Sequence, residues 1–173
     1  LKSANTADVI QKVTSGEVDI GFIEGDGRLE EIESRTLMRD ELVVISSDAV
    51  LAEAAPWFID QLAARPWILR EKGSGTRSVF LKSIAPVDQE LNVVMELEHI
   101  ESIKNFLMCK TDYVTVLPRI SVKRELEEGR LFEISVRAHR FERDFTMISR
   151  AQQNPLPLQQ HFQTYLLSSI GIQ

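Results

Sequence analysis

Short apolar runs alternate with amphipathic segments along most of this 173-residue chain. The apolar runs are rich in β-branched residues and have the length of buried strands, and the clearest of them cover residues 18–23, 41–46, 66–69 and 113–117. Between these runs, apolar residues recur at the spacing of one helical face. Strands that alternate with helices predict an α/β architecture with a mostly parallel sheet, in which ligands bind at the carboxyl ends of the strands.

The same periodicity predicts the remaining elements. Helices are expected at residues 5–15, 100–109 and 121–128, further strands at 91–97, 131–136 and 144–149, and a short extended piece at 32–37. A last helix begins near Pro155 or Pro157. Its apolar residues at helical spacing are expected to be buried, and they are Leu158, Phe162, Tyr165, Leu166 and Ile170.

Composition argues against several classes of function. The formal net charge is -6, and because a nucleic-acid surface is usually basic, the chain is not expected to contact DNA itself. No apolar run approaches the roughly 20 residues that cross a bilayer, and the first residues lack the apolar core of a signal peptide, so no membrane contact is expected. The single Cys109 cannot form an internal disulfide, which suits a reducing compartment such as the cytoplasm.

Residues 73–77, Gly-Ser-Gly-Thr-Arg, join an apolar strand to an amphipathic helix. The first N–H groups of such a helix point at whatever lies before it, and the helix dipole favours an anion there. The hydroxyls of Ser74 and Thr76 add donors, and Arg77 adds a guanidinium suited to carboxylate, sulfate or phosphate. The turn therefore predicts a receptor for a small anion, although a plain strand-to-helix loop with a Ser or Thr N-cap explains the same residues equally well.

Signatures of nucleotide binding and of catalysis are missing from the sequence. The glycine turn lacks the third glycine of a dinucleotide fingerprint, and no Gly-Lys-Ser/Thr of a P-loop follows it. His139 and His161 have no partners at metal-ligand spacing, and Cys109 lies on an amphipathic helix where a buried thiol is expected rather than a nucleophile. No Gly-x-Ser-x-Gly elbow is present. We therefore expect no enzyme activity, no metal and no cofactor.

Several short motifs follow one another along the chain. In order they are GEVDIGFIEG at 16–25, LMRDELVVI at 37–45, PWILRE at 66–71, the glycine turn, ESIK at 101–104, VLPR at 116–119, REL at 124–126 and GRL at 129–131. This series resembles the effector-binding domain of LysR-type transcriptional regulators over nearly the whole chain. Each motif is moderately specific, and their shared order and spacing carry the resemblance.

The resemblance implies two Rossmann-like α/β lobes joined by two crossover strands, as in type II periplasmic binding proteins. Lobe I would comprise residues 1–45 and 140–173, without the family's first strand and first helix, and lobe II would comprise residues 46–139. A small anionic effector (sulfate-like, phosphate-like or a carboxylate) would bind in the cleft between the lobes. DNA would be bound only by an N-terminal winged helix-turn-helix absent from this chain. The full-length protein would form a homodimer or a tetramer.

Carried over to this sequence, the family's ligand contacts would come from three turns. Asn5 and Thr6 would open a helix of lobe I. The third turn commonly reads Gly-Ser in the family, whereas this chain has Glu98 and His99. His99 is a candidate ligand contact, with a solvated or helix-capping histidine as the alternative. The second turn would form the lobe II anion site with Ser74, Gly75, Thr76 and Arg77.

Two functions follow from the resemblance. The first is a cytoplasmic sensor module that binds a small anion and passes its binding to an attached DNA-binding domain. The alternative is an extracytoplasmic solute-binding protein of the same architecture. A helix-turn-helix upstream of Leu1 would favour the sensor, and a signal peptide there would favour the solute-binding protein.

Overall fold

The computed structural model describes residues 4–25, 31–151 and 157–169. A short 3₁₀ helix at Val87–Glu90 follows the fourth α-helix. The other elements, in chain order, are α1 Thr6–Ser15, β1 Ile20–Glu24, β2 Ile32–Ser46, α2 Ala49–Glu53, α3 Ile59–Ala63, β3 Trp67–Arg70, α4 Gly75–Ile84, β4 Val93–Leu97, α5 Ile100–Cys109, β5 Val114–Pro118, α6 Arg119–Glu127, β6 Phe132–Glu133, β7 Phe141–Arg150 and α7 Pro157–Ser169.

The α/β class is confirmed, but the expectation of a mostly parallel sheet is wrong. β3 pairs in parallel with β4 and with β5. β2 pairs antiparallel with β5 and with β6, and β1 pairs antiparallel with β7. A continuous apolar run reports burial on both faces of a strand and says nothing about the direction of its neighbours. The sequence pattern at 41–46 therefore could not distinguish the two kinds of pairing.

Strand β2 is longer than the sequence pattern indicated. The extended piece at 32–37 and the strand at 41–46 form one strand of 15 residues, from Ile32 to Ser46. Its first part is mostly exposed and its last five residues are all buried. The polar residues between the two apolar runs therefore mark a change in burial within one strand and not a turn.

The chain forms two compact units. Unit 1 comprises Leu1–Arg39 and Asp144–Gln173, and unit 2 comprises Asp40–Arg143. The chain passes from unit 1 to unit 2 within β2 and returns within β7. Asp40 and Arg143 are therefore the first and last residues of unit 2.

Both faces of the unit 2 sheet are covered. Side chains alternate along β2, so that Leu42 and Val44 join one apolar cluster while Val43 and Ile45 join another. Trp67 of β3 belongs to the first cluster, is fully buried and donates its indole N–H to the Leu62 carbonyl at 2.9 Å. Packing, and not ligand contact, is therefore the role of this tryptophan.

In unit 1, helix α1 lies unusually close to β1. Asn5 caps the helix by accepting a hydrogen bond from the Asp8 amide at 2.9 Å, and Gly16 ends it with a φ of 79°. A Cβ added at Gly21 would lie 2.6 Å from Val9 Cγ1 and 2.9 Å from Val13 Cγ2. Glycine at position 21 is thus what allows this helix and strand to pack.

The expected burial of the last helix is wrong for most of its apolar residues. Leu158, Phe162 and Tyr165 of α7 are 80%, 42% and 66% exposed. The buried residues are Gln159 and Leu167, which belong to a different face. Gln159 donates its amide N–H to the Asp19 carbonyl at 3.3 Å, which holds this face inward. Leu166 is partly buried, and Ile170 lies outside the described residues.

A buried ion pair joins α5 to α6 in unit 2. Lys104 and Glu125 are each 6% exposed, and their Nζ and Oε1 atoms are 3.1 Å apart. Lys104 also contacts Glu101 at 2.8 Å and the Ser121 carbonyl at 3.1 Å. Burial alone would raise the pKa of Glu125, but its hydrogen bonds to Lys104 and to the backbone lower that pKa overall. Similarly, burial alone would lower the pKa of Lys104, but its two carboxylate partners raise it.

None of the helices in the described part of the chain is long and apolar enough to span a membrane.

Replacing Gly21 by Ala should destabilise unit 1 by about 1–3 kcal/mol, because the new methyl group overlaps two valines of α1. Urea denaturation of native and variant protein measures this difference in the free energy of unfolding. A second substitution, Val9→Ala, removes the nearest overlapping atom and should restore part of the loss. Equal stabilities of native protein and Gly21→Ala would contradict the close packing.

Glu125→Gln should lower the free energy of unfolding by about 1–3 kcal/mol near neutral pH, because the buried Lys104 loses one of its carboxylate partners. The loss is limited because Lys104 keeps Glu101 and the Ser121 carbonyl as partners. The folded-state pKa of Glu125 is depressed, so its contribution is present above the unfolded pKa and is lost as pH falls through the folded pKa. Native protein should therefore lose more stability than the variant on acidification. Glu127→Gln is the control, because that exposed residue pairs only loosely with Lys123. If native protein and Glu125→Gln lose the same amount of unfolding free energy as the pH falls, the stabilising role of the Glu125 carboxylate is contradicted.

Candidate functional site

A short turn connects the end of β3 to the N-terminus of α4. Gly73 has a φ of 94°, a left-handed conformation that favours glycine. Ser74 is the N-cap residue in extended conformation, and its amide donates to the Glu71 carbonyl at 3.2 Å. The Ser78 amide donates to the Ser74 carbonyl at 3.0 Å, which is the first bond of the helix. Gly75 is therefore the first residue of α4.

The hydroxyl of Ser74 is the most unusual group at this turn. Ser74 is 3% exposed, and its oxygen makes no hydrogen bond with any of the residues 4–25, 31–151 and 157–169. An N-cap serine normally accepts from an amide of the first turn, but this serine does not. The first-turn amides have no acceptors within a helix, and the first turn of α4 contains no acidic side chain. A buried donor group therefore lies at the positive end of a helix dipole.

Thr76 is fully buried and belongs to a network of charged groups inside unit 2. Its Oγ1 accepts a hydrogen bond of 2.8 Å from Nη1 of Arg143. Arg143 also donates to Oδ2 of Asp40, through Nε at 3.0 Å and through Nη2 at 2.7 Å. The two charged side chains are 1% and 8% exposed. The second residue of α4 is thus joined directly to β7 and, through Arg143, to β2.

Sequence reasoning missed Arg143 and Asp40, although one signal was present. The burial of β7 alternates at its start, where Phe141 and Arg143 are buried and Glu142 is exposed. Period-2 reading of Phe-Glu-Arg would therefore have placed Arg143 on the inward face. A buried arginine needs a carboxylate partner. The pattern could not, however, have chosen Asp40 among the acidic residues of the chain.

Arg77 and Arg70 are held by other groups. Nη1 of Arg77 donates to the Arg70 carbonyl at 3.0 Å and lies 2.7 Å from Oε1 of Glu96 on β4. Arg70 pairs with the adjacent Glu71, with its Nε 2.9 Å from a carboxylate oxygen. These contacts fix the guanidinium of Arg77 against β3 and β4. A ligand contact by Arg77 stays a prediction.

Asn5 and Thr6 lie at the N-terminus of α1, in unit 1. The Asn5 side chain already caps the helix, and Thr6 donates its hydroxyl to the Glu24 carbonyl at 3.4 Å. Asp8 places a negative charge in the first turn of this helix. Because the Asp8 carboxylate already places a negative charge at the positive end of the α1 dipole, the α1 terminus is less suited to an anion than the α4 terminus.

His99 is the N-cap residue of α5 in unit 2 and is exposed. In the part of the chain that the structure describes, its side chain makes no capping hydrogen bond. β3 and β4 are parallel, with Arg70 opposite Leu97, so the turns that follow them begin at the same edge of the sheet. His99 and Ser74 therefore belong to neighbouring turns, and a ligand contact by His99 stays a prediction.

Cys109 is exposed at the end of α5, so the expectation of a buried thiol is wrong. The helix has its buried face at Ile103 and Leu107, and Cys109 falls outside that face. Within the described ranges, no group of three or more His, Cys, Asp or Glu side chains could hold a metal ion.

Solved structures share this fold. The regulatory domain of CcmR from Synechocystis PCC6803, solved in complex with 2-PG, matches 98% of this chain and 82% of its own chain, with a TM-score of 0.82 and 23% identity. A sulfate-bound E204G mutant of the OxyR2 regulatory domain from Vibrio vulnificus matches 98% of this chain and 80% of its own, with a TM-score of 0.78 and 17% identity. The chain thus has the mixed α/β fold of these regulatory domains, which resembles the fold of type II periplasmic binding proteins.

The family follows from the sequence comparison. The family model described as the LysR substrate binding domain matches residues 1–170, and the chain belongs to this family. It is the effector-binding domain of a LysR-type regulator. The Escherichia coli K12 protein YeiE, named as an uncharacterized HTH-type transcriptional regulator, is 36% identical over 154 residues, which are 89% of this chain and 52% of YeiE. The chain spans about half the length of the curated relatives that it matches.

Proposed function

We propose that this chain is the ligand-sensing domain of a cytoplasmic LysR-type transcriptional regulator, and that it binds a small anionic metabolite at the N-terminus of α4. The ligand would lie in the cleft that the family resemblance implies between the lobes. DNA would be bound by an N-terminal winged helix-turn-helix outside this chain, in a full-length homodimer or tetramer. The observation that carries the proposal is the buried Ser74 hydroxyl without a partner among the described residues.

A buried hydroxyl that makes no hydrogen bond is costly, so its presence at a helix N-terminus needs a reason. An anion that accepts from Ser74 and from the amides of the first turn would supply that reason. The other two predicted turns are less suited, because α1 carries Asp8 and α5 carries Glu101 in the first turn. The first turn of α4 has no acidic residue. The proposed ligand is therefore anchored in unit 2.

The names of similar proteins support the same class of ligand and of function. CcmR was solved with 2-PG, and the OxyR2 mutant was solved with sulfate. YeiE is named as a transcriptional regulator, and about half of its length lies outside the match. For this chain, we propose sulfate, phosphate or a small carboxylate as the part of the effector that α4 recognises.

Ligand control of the attached DNA-binding domain would follow from differential affinity. A ligand shifts a conformational equilibrium only by the difference between its affinities for the two states. An anion held by α4 would favour the arrangement in which the remaining ligand contacts are also made. Asn5, Thr6 and His99 are the predicted sources of those contacts.

Calorimetric titration with sulfate, phosphate and small dicarboxylates tests the site, with native protein and Ser74→Ala compared. Ser74 makes no capping hydrogen bond and its buried hydroxyl has no partner among the described residues, so the variant should be at least as stable as native protein. Its affinity for the best of these anions should fall about tenfold or more, because a hydrogen bond to a charged group contributes about 1.5–3 kcal/mol.

Ser83→Ala is the matched control. Ser83 lies near the end of the same helix, is exposed and donates to the Val79 carbonyl at 2.7 Å. This variant should bind each anion as native protein does. If Ser74→Ala also keeps native affinity for the anion that native protein binds, the proposed site is wrong. If native protein binds none of the probes, the proposed class of ligand is wrong.

A further inference from the structure

We propose that unit 1 contains a second binding site, a polar cavity between α7 and the sheet that binds a small zwitterion, a free α-amino acid. The cavity has a volume of about 440 Å³ and lies within unit 1. Its lining comes from β2, β7 and α7 and consists of Glu33, Ser34, Arg35, Met147, Ser149 and Gln163. Because the α4 turn belongs to unit 2, this proposal does not depend on the anion site there.

Strand alternation places the cavity on the face of the sheet that α1 does not cover. β2 and β7 are neighbours in the sheet, and their residues Ile32 and Ile148 pack with Val13 of α1 in one apolar cluster. Successive side chains of a strand point to opposite faces, so the adjacent residues lie on the other face. Those that line the cavity there are Glu33 and Arg35 of β2 and Met147 and Ser149 of β7.

Helix α7 turns a partly polar face toward this side of the sheet. Gln159, Gln163 and Leu167 are spaced four residues apart and therefore lie on one helical face, of which Gln159 and Leu167 are buried. The large apolar residues Leu158 and Tyr165 of the same helix are 80% and 66% exposed. Gln163, in the middle of the inward face, lines the cavity. The space under α7 is therefore bordered by polar groups and not filled by apolar side chains.

Ser149 is the residue that most clearly indicates a ligand. It is 5% exposed and lines the cavity. Within residues 4–25, 31–151 and 157–169, its hydroxyl forms no hydrogen bond, and the side chains of Glu33, Arg35 and Gln163 form no hydrogen bond or ion pair either. A hydroxyl on a buried residue is normally paired, because leaving it without a partner is costly. A polar ligand in the cavity would supply that partner.

The two charges of the lining define the chemical class of the ligand. Glu33 and Arg35 are two residues apart on β2, which is about 7 Å along a strand, and both line the cavity. A simple anion would match only Arg35, and a simple cation would match only Glu33. A free α-amino acid carries both charges. Its carboxylate can accept two parallel hydrogen bonds from the guanidinium of Arg35, and its ammonium can donate to the carboxylate of Glu33.

The volume and the remaining lining residues limit the size of the ligand. A cavity of about 440 Å³ lies in the lower part of the range of roughly 300–1,000 Å³ that small-molecule pockets occupy. Met147 is 5% exposed and offers an apolar surface to the carbons of a ligand side chain. Ser149 and Gln163 offer a hydroxyl and an amide. We therefore expect an amino acid with a small or medium-sized side chain.

Thermal unfolding of this chain with each standard α-amino acid at millimolar concentration identifies the ligand, since a compound that binds only the folded state raises the midpoint temperature. Calorimetric titration then compares the best amino acid with two analogues, in which hydrogen replaces either its amino group or its carboxyl group. Native protein should bind the amino acid about tenfold more tightly than either analogue, because each analogue leaves one charge of the lining unmatched. If no standard amino acid binds, the proposal is wrong.

Three single variants separate the contributions of the lining groups. Glu33→Gln should weaken binding of the amino acid about tenfold and leave the affinity for the analogue without an amino group unchanged. Arg35→Gln should also weaken binding of the amino acid about tenfold, but it should spare the analogue without a carboxyl group. Ser149→Ala should weaken binding without loss of stability, because the hydroxyl has no partner in the described part of the chain. Native affinity for the amino acid in Glu33→Gln and in Arg35→Gln would overturn the proposal.

Arg39→Gln is the matched control, because Arg39 belongs to the same strand, has a side chain that is 77% exposed and does not line the cavity. It should bind the amino acid as native protein does, and an equal loss in Arg39→Gln and Arg35→Gln would contradict a specific site. Ser74→Ala separates this cavity from the α4 site. It should keep native affinity for the amino acid, and Arg35→Gln should keep native affinity for sulfate. Amino-acid binding that is lost in Ser74→Ala and kept in Arg35→Gln would belong to α4 and would overturn the proposal.

Discussion

The strands at the centre of unit 2 are covered on both faces, and this constraint restricts the positions at which polar groups can contact a ligand. Alternate residues of β2 enter two different apolar clusters, and β3 and β5 are buried along nearly their whole length. A sheet buried in this way offers a ligand only the ends of its strands. Because β3 and β4 are parallel, the helices that follow them begin at one edge. Ser74 and Thr76 belong to that edge, where backbone amides and hydroxyls lie at the positive end of the α4 dipole.

The buried pair of Asp40 and Arg143 is hard to explain by stability alone. Removing two charges from water costs roughly several kcal/mol per ion, and apolar side chains of similar volume often serve as well. The neighbouring pair along the same strands, Arg39 with Asp144, belongs to unit 1 and is 77% and 42% exposed, so it contributes about 0–1 kcal/mol. Strand alternation thus places one pair in solvent and the other in the core. What distinguishes the buried pair is its contact with Thr76 in the first turn of α4.

Elements set by local physics could be predicted from the sequence, and those set by long-range packing could not. Helix α5 has the predicted bounds, and α1 begins after Asn5 and ends before Gly16, because caps and periodicity are local. Strand direction was missed, since an apolar run looks the same in either orientation. The buried face of α7 was misassigned, because it is the face of Gln159 and Leu167, and Gln159 bonds to Asp19, which lies 140 residues away in the chain. The glycine turn was visible as a candidate anion site, but the partner of Thr76 was not, since Arg143 is 67 residues away in the chain.

The unpaired hydroxyl at the α4 turn links ligand binding to the energetics of the fold. A buried hydroxyl without a partner costs about 1–3 kcal/mol, so the proposed anion would remove a penalty that the domain otherwise carries. Part of the binding free energy would then come from relief of that penalty, and binding would stabilise the folded state by mass action. Thr76 follows Ser74 by two residues and is bonded to Arg143, which is bonded to Asp40. Asp40 and Arg143 are the residues at which β2 enters unit 2 and β7 leaves it. The first turn of α4 is therefore joined, through the Thr76 hydroxyl, to Arg143 of β7 and, through Arg143, to Asp40 of β2.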